Sequence, residues 1–446
     1  MSARAFQLNP LFPDHLATVA ERSARALAAT GYESLLVHSG VPPWAFQDDQ
    51  HYPYRVHPPF KVWAPLTDAP DSFVFFQPGQ RPVLIFNRPE DYWHQPAELP
   101  VEPWVDCFDV RIISTRAAAR SELPADLSHT AFVGEALPEL LGWGVGAINP
   151  EHLLAQLHFD RAAKTPYELD CLREASLIGV RGHLAAGQAF LEGESEYQIH
   201  QAYLAACGLR EQETPYNAIV ALNEAGAVLH YQLLARQAPT ESRSLLIDAG
   251  GTFRGYASDI TRTHARQDDE FSALLHGMER LQQQLCTEVR AGVDWRDIHL
   301  RSYRLIAELL VESEIVRCTA DEAVDSALTS VFYPHGIGHL LGLQVHDVAG
   351  TQLSAVGGEL PRPEGHPNLR LTRVLQTGWV VTMEPGLYFI PPLLEQARTN
   401  GLGRKINWAL VEKLARFGGI RIEDNLAATA SGCENLTRAA FQALQT

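Results

Sequence analysis

The sequence is poor in the features that define several common protein classes. Its six cysteines are scattered and form no Cys-x-x-Cys pair, so neither a zinc knuckle nor a disulfide framework is indicated. No run approaches the roughly 20 apolar residues of a membrane-spanning helix, and residues 1–20 lack the apolar core of a signal peptide. A formal net charge of −17 argues against a nucleic-acid or anionic-membrane partner. These absences predict a soluble protein of the reducing cytoplasm.

Length and hydrophobic content indicate two folded domains. The 446 residues are too many for one ordinary core, and hydrophobic residues make up 46% of them. We place the boundary near residue 160. Residues 1–160 are predicted to form a smaller α/β domain that contains an amphipathic helix over 14–29 and several short strands. In residues 161–446, long helices alternate with antiparallel-looking hairpins, which predicts an α+β domain.

A long segment between two N-terminal strands is rich in proline and aromatic residues. It spans residues 41–63 and reads VPPWAFQDDQHYPYRVHPPFKVW. The pattern predicts an ordered loop, and loops of this length are uncommon and often functional.

Two aspartates lie in a predicted hairpin, LLIDAGGTFRGYASDITRT. We predict that Leu245–Ala249 and Tyr256–Thr263 are its strands. If the turn is centred on Phe253–Arg254, Asp248 lies directly opposite Asp259, with Cβ atoms about 4.5–5.5 Å apart. Two like charges at that spacing repel, so one carboxyl group binds a proton or a cation lies between them. From the hairpin alone, a metal site, a shared proton and a solvated face all stay open.

Three histidines follow in a glycine-rich stretch, PHGIGHLLGLQVHD, at positions His335, His339 and His346. The glycines argue against a simple helix and leave room for close approach of the backbone. A single histidine is more often structural than a ligand, but three within twelve residues of such a turn favour a functional site.

Two glutamates complete the set of possible ligands. Glu384 ends the apolar strand VVTM and precedes Pro-Gly, and Glu423 ends the alternating stretch GIRIE. Alternation places Glu423 on the same strand face as Arg421. Each glutamate could instead be a buried salt-bridge partner, and Glu423 could pair with Arg421.

Two aspartates, one histidine and two glutamates make an oxygen-rich ligand set. Four carboxylates offset the charge of two divalent cations, and hard oxygen ligands with one imidazole suit Mn²⁺, Co²⁺ or Fe²⁺. Two such ions bridged by carboxylates are typical of hydrolases, because they activate water at neutral pH and stabilise an oxyanion.

The order Asp, Asp, His, Glu, Glu resembles the pita-bread metallopeptidases, which include methionine aminopeptidase, aminopeptidase P and prolidase. The segments DAGGTFRGYASDITRT, PHGIGHLLGLQVHD, TMEPGLYF and GGIRIEDN are most similar to bacterial Xaa-Pro dipeptidases, or prolidases. The resemblance runs from about residue 30 to 430, and motifs in this order make a specific signal. It implies a smaller α/β N-terminal domain, residues 1–160, and a pita-bread catalytic domain, residues 161–446.

The resemblance also implies a ligand set for two divalent ions per subunit. Asp248 is similar to a terminal ligand of one ion, and Asp259 and Glu423 are similar to bridging ligands. His339 and Glu384 would complete the shell of the other ion. Mn²⁺ is the expected metal, with Co²⁺ or Fe²⁺ as alternatives.

Further residues acquire expected catalytic roles from the same resemblance. Glu384 would move a proton between the attacking water and the leaving amine. His230 resembles the family histidine that holds or protonates the scissile group, and His335 is expected beside the ligands.

Substrate recognition is expected from a second group of residues. His346 and Arg421 resemble the pair that binds the carboxylate of the C-terminal proline, since a guanidinium binds a carboxylate bidentately. Tyr216 is expected to line the pocket. In the family, a loop of the partner subunit closes the site, so Asp48 or Asp49 would meet the substrate amino group. The alternative is a surface loop whose acids cap a turn. Closure by a partner implies a homodimer.

The expected activity is metal-dependent hydrolysis of Xaa-Pro dipeptides, with a small dipeptide as the only predicted partner besides a second subunit. Aminopeptidase P activity on longer Xaa-Pro peptides and a non-catalytic binding module are the alternatives. Phosphotriester hydrolysis is a further expected side activity, because a relative in the family is an organophosphorus acid anhydrolase. One departure from the family pattern is His264, which stands where an aromatic residue is usual.

Overall fold

The computed structural model describes residues 9–90, 92, 93, 95 and 97–445. The chain divides into two compact units, Met1–Cys171 with Ser354–Gly358, and Leu172–Leu353 with Glu359–Thr446. The division falls inside a long helix that follows the boundary predicted near residue 160, and that boundary stays a prediction.

The first unit is built on one mixed sheet. Its helices are α1 Phe12–Thr30, α2 Pro58–Lys61, α3 Leu140–Trp143 and α4 Glu151–Arg161. Its strands are β1 Ser34–His38, β2 Phe73–Phe76, β3 Val83–Asn87, β4 Asp109–Ile113, β5 Thr130–Val133 and β6 Ala147–Ile148. The strand order is β4-β3-β2-β1-β5-β6, and β1 is antiparallel to β2 but parallel to β5. The predicted α/β character of this unit is confirmed.

Helix α1 shows how the sequence sets the bounds of an element. A proline lies in its first turn, where a missing N–H costs nothing. The helix ends at Gly31, whose φ of 79° is left-handed and whose N–H donates to the carbonyl of Leu27. Leu16, Val19 and Leu27 are buried at helical spacing. The helix predicted over residues 14–29 is confirmed.

The remaining helices and strands follow. The helices are α5 Pro166–Glu192, α6 Glu196–Cys207, α7 Glu270–Glu288, α8 Trp295–Glu312, α9 Ala320–Asp325, α10 Leu328–Phe332, α11 Pro391–Thr399, α12 Trp408–Leu414 and α13 Leu436–Gln445. The strands are β7 Ile219–Leu222, β8 Ser244–Asp248, β9 Thr252–Phe253, β10 Tyr256–Ala257, β11 Thr261–Ala265, β12 Gln352–Ser354, β13 Gly357–Glu359, β14 Val380–Met383, β15 Gly386–Tyr388, β16 Gly419–Arg421, β17 Asp424–Ala428 and β18 Cys433–Asn435. Within the described ranges, no helix is both long and apolar enough to cross a bilayer.

Small antiparallel sheets form the centre of the second unit. Their orders are β11-β8-β7, β14-β17-β18, β15-β16 and β10-β9. Isolated bridges join Thr261 of β11 to Glu423 and Val381 of β14 to Leu340. Helices and antiparallel strands are thus combined in one unit, which confirms the predicted α+β class.

The hairpin that carries the two aspartates has a different register from the predicted one. Asp248 pairs with Thr261, so the prediction that Asp248 lies directly opposite Asp259 is wrong. Asp259 follows β10 and precedes β11 by two residues. Because side chains alternate along an extended chain, a spacing of two keeps Asp259 on the side of Thr261 and Asp248.

The turn explains the error in register. Phe253 pairs with Tyr256, so the turn is centred on Arg254 and Gly255, one residue later than predicted. Both central residues have positive φ, 50° and 86°. Positive φ at both positions is typical of a type I′ turn, which suits strand twist and favours glycine at its second central position. The place of the glycine therefore sets the register of the whole hairpin.

Candidate active site and metal centre

The five predicted metal ligands lie at the ends of strands in the second unit. Asp248 is the last residue of β8, and Glu384 directly follows β14. Asp259 lies between β10 and β11, Glu423 lies between β16 and β17, and His339 lies in the loop after α10. All five line one cavity of about 440 Å³. This volume is within the range usual for small-molecule sites.

Backbone hydrogen bonds align His339 and Glu384 along strand β14. The N–H of Thr382 donates to the carbonyl of His339 at 3.0 Å, and the N–H of His339 donates to Thr382 Oγ1 at 3.1 Å. The N–H of Glu384 donates to the carbonyl of Ile337 at 2.9 Å. A Cβ at Gly338 would lie 2.2 Å from the carbonyl oxygen of Thr382, so only glycine allows this approach.

A second set of bonds brings Asp259 and Glu423 together. The N–H of Glu423 donates to the carbonyl of Thr261 at 3.0 Å, and Thr261 Oγ1 donates to Glu423 Oε2 at 2.8 Å. The N–H of Asp259 donates to Asn425 Oδ1 at 3.1 Å. Residues far apart in the chain are thus fixed side by side.

The donor set of this cluster fits a cation. Asp259, His339 and Glu423 each offer a ligand atom within 4.8 Å of the others. His339 Nδ1 lies 3.0 Å from the carbonyl of Leu340, and since a carbonyl only accepts, Nδ1 carries the proton. In the neutral ring, His339 Nε2 then carries the lone pair, and it lies 3.4 Å from Asp259 Oδ2 and 3.7 Å from Glu384 Oε1. A lone pair facing two carboxylates is an arrangement that a bound metal ion completes.

The electrostatics of the cluster also favour positive charge. Burial and then the neighbouring Asp259 raise the pKa of Glu423 well above its usual range. Burial raises the pKa of Glu384 to about 7 and also raises the pKa of Asp248. Burial lowers the pKa of His339, but Asp259 and Glu384 outweigh it, so the net direction is upward. Such crowding of buried carboxylates is what divalent cations neutralise.

Two side chains donate hydrogen bonds to the carboxylate of Asp248. Tyr216 Oη donates to Asp248 Oδ1 at 2.7 Å, and Arg421 Nη2 donates to Asp248 Oδ2 at 2.7 Å. The other nitrogens of Arg421 also have partners, with Nη1 donating to Tyr388 Oη at 2.9 Å and Nε to Thr261 Oγ1 at 3.2 Å. The ion pair of Arg421 thus goes to Asp248 rather than to Glu423. These bonds do not favour the predicted contact of Arg421 with a substrate carboxylate, and that contact stays a prediction.

The predicted histidines also lie at the cavity. His335 Nδ1 donates to the carbonyl of Gly336 at 2.8 Å, so its Nε2 accepts from Tyr388 Oη at 2.9 Å. The rings of His346 and His339 have centroids 4.4 Å apart. Burial lowers the pKa of His335 to about 3 and that of His346 to about 4, so both rings are neutral near pH 7. His230 is exposed and lines the same cavity.

Three residues at the site were not predicted from the sequence: Arg370, Arg362 and Tyr388. Arg370 is exposed in the cavity wall, and its guanidinium has no hydrogen-bond or ion-pair partner among the residues that the structure describes. Arg362 lines the same wall but donates to the carbonyl of Leu369 and to Glu359. Both arginines lie in the irregular stretch before β14, where no periodicity or motif indicates which side chains face the site.

The predicted substrate-binding acids lie in the first unit. The N–H of Gln50 donates to Asp48 Oδ1 at 3.1 Å, and Gln50 Nε2 donates to Asp49 Oδ1 at 3.0 Å. Trp44 and His51 form an isolated bridge across this loop, and their ring centroids are 3.7 Å apart. Asp48 therefore caps a turn, as the alternative interpretation expected, and a contact of Asp49 with substrate stays a prediction.

Comparison with known families matches both parts of the chain. Residues 10–159 match the family described as Xaa-Pro dipeptidase, N-terminal domain, and residues 170–430 match metallopeptidase family M24. The chain belongs to metallopeptidase family M24. The predicted family and enzyme class are thereby confirmed, and the cluster of Asp259, His339 and Glu423 is the candidate metal centre of an M24 metallopeptidase.

Similar proteins are named Xaa-Pro dipeptidase or aminopeptidase P. The Xaa-Pro dipeptidase of Stenotrophomonas maltophilia K279a is 47% identical over 434 residues, covering 97% of this chain and 98% of the relative. The Xaa-Pro dipeptidase of Xanthomonas axonopodis pv. citri is 46% identical over 437 residues, covering 98% of this chain and 99% of the relative.

Among solved structures, aminopeptidase PepP of Pseudomonas aeruginosa has a TM-score of 0.73 at 23% identity, covering 95% of each chain. Aminopeptidase P of Escherichia coli has a TM-score of 0.72 at 21% identity, covering 94% and 95%. At such identities the structures show the fold alone, which is the predicted pita-bread architecture.

Proposed function

We propose that this M24 metallopeptidase is an Xaa-Pro dipeptidase, which hydrolyses the imide bond of dipeptides that end in proline. The observation that carries the proposal is the single cavity that gathers all five predicted ligands, three histidines and Arg370. The full-length similarity to proteins named Xaa-Pro dipeptidase supports the same activity.

The ligand set would hold two divalent ions per subunit. Asp248, Asp259, His339, Glu384 and Glu423 are the ligands. The predominance of carboxylate oxygens favours Mn²⁺, with Co²⁺ or Fe²⁺ as alternatives. When bound, the ions would supply activation of water and stabilisation of the negative charge that develops on the scissile carbonyl oxygen.

The side chains of the cavity wall would bind and orient the dipeptide. Arg370 is the cationic group in the wall without a partner among the described residues, and it lies close enough to His346 to lower the pKa of that ring. A guanidinium is suited to a carboxylate, so Arg370 with His346 would bind the carboxylate of the C-terminal proline. Arg421 would instead keep Asp248 oriented through the 2.7 Å bond. His230, exposed at the opening, would contact the scissile group.

Glu384 would carry the proton of the reaction. Its Oε1 lies 3.7 Å from His339 Nε2 and its Oε2 lies 3.8 Å from His335 Nδ1. A carboxylate at this place in the cavity would take a proton from the attacking water and release it to the leaving imino nitrogen. His335 would not compete for that proton, because its Nδ1 already donates to the carbonyl of Gly336 and its Nε2 accepts from Tyr388.

Aminopeptidase P activity and a non-catalytic binding role are less well supported. The likeness to aminopeptidase P is at 21–23% identity and speaks only to fold. The complete ligand set in a cavity argues against a binding module. Phosphotriester hydrolysis stays a prediction, since no contact in the cavity favours it over peptide hydrolysis.

The assembly would be a homodimer in the cytoplasm. Trp44, Phe46 and Tyr52 in the loop of the first unit are 63%, 85% and 56% exposed, which is unusual for aromatic side chains and favours burial against a second copy. Cysteines without disulfides among the described residues support a reducing compartment. In this arrangement the loop of one subunit would cover the cavity of the other and offer Asp49 to the substrate amino group.

Hydrolysis of Ala-Pro and Ala-Pro-Ala by metal-stripped protein, with and without added Mn²⁺, tests the proposal. Mn²⁺-dependent cleavage of the dipeptide alone is the expected result. Cleavage of both peptides would assign the chain to aminopeptidase P activity, and cleavage of neither with any of the three metals would overturn peptide hydrolysis.

A further inference from the structure

His230 is presented to the cavity by a loop that has no secondary structure of its own. Residues 228–243 contain neither helix nor strand. Asn223, at a positive φ of 55°, closes the base of this loop, because its Nδ2 donates to the carbonyl of Glu241 and its Oδ1 accepts from the N–H of Arg243, both at 2.7 Å. Closure of the base alone does not determine where the tip, with His230, lies.

A buried carboxylate fixes the middle of the loop. Glu196, at the start of α6, is 3% exposed. Its Oε2 accepts from Tyr231 Oη at 2.8 Å and from the N–H of Ala235 at 2.7 Å. Its Oε1 accepts from the N–H of Leu222 at 3.0 Å. One carboxylate thus satisfies three donors, one of which belongs to the residue next to His230.

The Glu196 carboxylate connects the loop to the sheet that carries a metal ligand. Leu222 is the last residue of β7, and β7 pairs with β8, where Ile219 is opposite Asp248. The start of α6 also contacts the loop directly. The N–H of Tyr197 donates to the carbonyl of Ala235 at 3.1 Å.

We propose that Glu196 is a positioning residue that holds His230 at the cavity by binding Tyr231 and Ala235 to the end of β7. The proposal rests on the proposed dipeptidase function for what His230 does, but the geometry of the loop is independent of it. The carboxylate acts through His230 and does not touch the substrate.

Glu196 can hold the loop because both oxygens of a carboxylate accept hydrogen bonds. A buried donor that loses its partner is costly, and hydrogen bonds to a charged acceptor are stronger than neutral ones. In Glu196→Gln, the amide NH₂ group replaces one acceptor and meets an N–H or O–H donor instead. In Tyr231→Phe, only the hydroxyl beside His230 is lost. Both changes release the loop tip and leave the ligands in place.

Hydrogen exchange of the whole protein tests the loop geometry. In Glu196→Gln and Tyr231→Phe, we expect faster amide exchange over residues 228–236 and unchanged exchange in β8. Glu194→Gln removes the same charge two residues earlier and is expected to exchange like the wild type. Equal exchange over residues 228–236 in all four proteins would overturn the proposal.

Kinetics test whether the Glu196 contacts act through His230. For Ala-Pro, we expect Glu196→Gln to raise KM about tenfold with a smaller change in kcat, as expected for the loss of a hydrogen bond to a charged group. In the double variant His230→Ala with Glu196→Gln, kcat/KM should fall no further than in His230→Ala alone. If kcat/KM of the double variant falls by the product of the two separate reductions, the link to His230 is overturned and Glu196 is only a structural residue. A wild type that does not cleave Ala-Pro would refute the proposed function, and the exchange experiment would then decide the Glu196 contact alone.

Discussion

Arg421 Nη2 lies 2.7 Å from Asp248 Oδ2 in a buried ion pair. The remaining donors of the same guanidinium go to Tyr388 and Thr261. Arg421 therefore orients Asp248, a predicted metal ligand, although the motif that contains Arg421 resembles a family motif that binds the substrate carboxylate. The distinction can be measured, because support of a ligand affects metal binding whereas a substrate contact affects KM.

Replacing Arg421 should weaken metal binding. In Arg421→Lys a single ammonium cannot reach Asp248, Tyr388 and Thr261 together, so Asp248 loses its orientation. We expect metal affinity to fall by about 10–100-fold, measured by metal analysis after dialysis against defined Mn²⁺ concentrations. Arg404→Lys, at an exposed position, is the control. Unchanged metal content with a raised KM for Ala-Pro would instead support the predicted contact of Arg421 with substrate.

Replacing Arg370 should affect recognition of the proline carboxylate. We expect Arg370→Ala to raise KM for Ala-Pro by about 10–100-fold, as expected for the loss of a charge-assisted hydrogen bond, with little change in metal content. The amide of Ala-Pro, which lacks the carboxylate, provides the control because the wild type and the variant should handle it alike. An equal loss on both substrates would show that Arg370 does not bind the carboxylate.

Metal removal should abolish activity and lower stability. Without cations, the buried carboxylates of Asp248, Asp259, Glu384 and Glu423 repel one another, so we expect a lower Tm for the stripped protein. Two equivalents of Mn²⁺ per chain should restore both, and His339→Ala should bind fewer. His276→Ala, at an exposed position, serves as the control. A single equivalent in the wild type would contradict the two-metal assignment.

Stability should fall below about pH 6.5 because of buried neutral histidines. Burial lowers the pKa of His264 to about 4 and that of His183 and His299 to about 3. Below pH 6.5 the unfolded chain binds more protons at these positions than the folded chain, so stability is lost as pH falls towards the folded-state values. Each histidine contributes at most about 1.4 kcal/mol per pH unit. Urea unfolding at pH 7.5 and 5.0 should show a smaller difference for His264→Phe, and an equal difference would contradict the assignment.

The two acids of the first-unit loop should differ in effect. We expect Asp49→Asn to raise KM for Ala-Pro, since it removes the charge that would meet the substrate amino group. Asp48→Asn removes the same charge, but an amide oxygen can still accept from the N–H of Gln50 and keep the turn. Steady-state kinetics of both variants check this. Small and equal effects would show that both acids only stabilise the loop.

Much of the site could be predicted from local sequence. A carboxylate at the end of an apolar strand, or histidines in a glycine-rich turn, are local patterns, and their order along the chain identified the family. The cavity brings together Asp248, Asp259, His339, Glu384 and Glu423 as that order implies. The α+β character of the second unit followed from hydrophobic periodicity, which depends on neighbours a few residues apart.

The register of the hairpin could not be predicted with the same success. Alternation shows which side chains share a face, but it does not show which residues are opposed. That was decided by the turn at Arg254 and Gly255, whose positive φ values shift the centre by one residue.

The sequence by itself determined which residue types are available as ligands and in what order. Strands and glycine turns depend on neighbouring residues, so the side chains that they carry can be recognised locally. Only the tertiary structure decided what each side chain contacts. Alternation put Arg421 on the face of Glu423, yet its ion pair goes to Asp248, 173 residues away. Arg370 lies in a stretch without periodicity, and its guanidinium in the cavity wall has no partner among the residues that the structure describes. Competition among buried donors and acceptors is a long-range property of the packed fold, so a local pattern does not contain it.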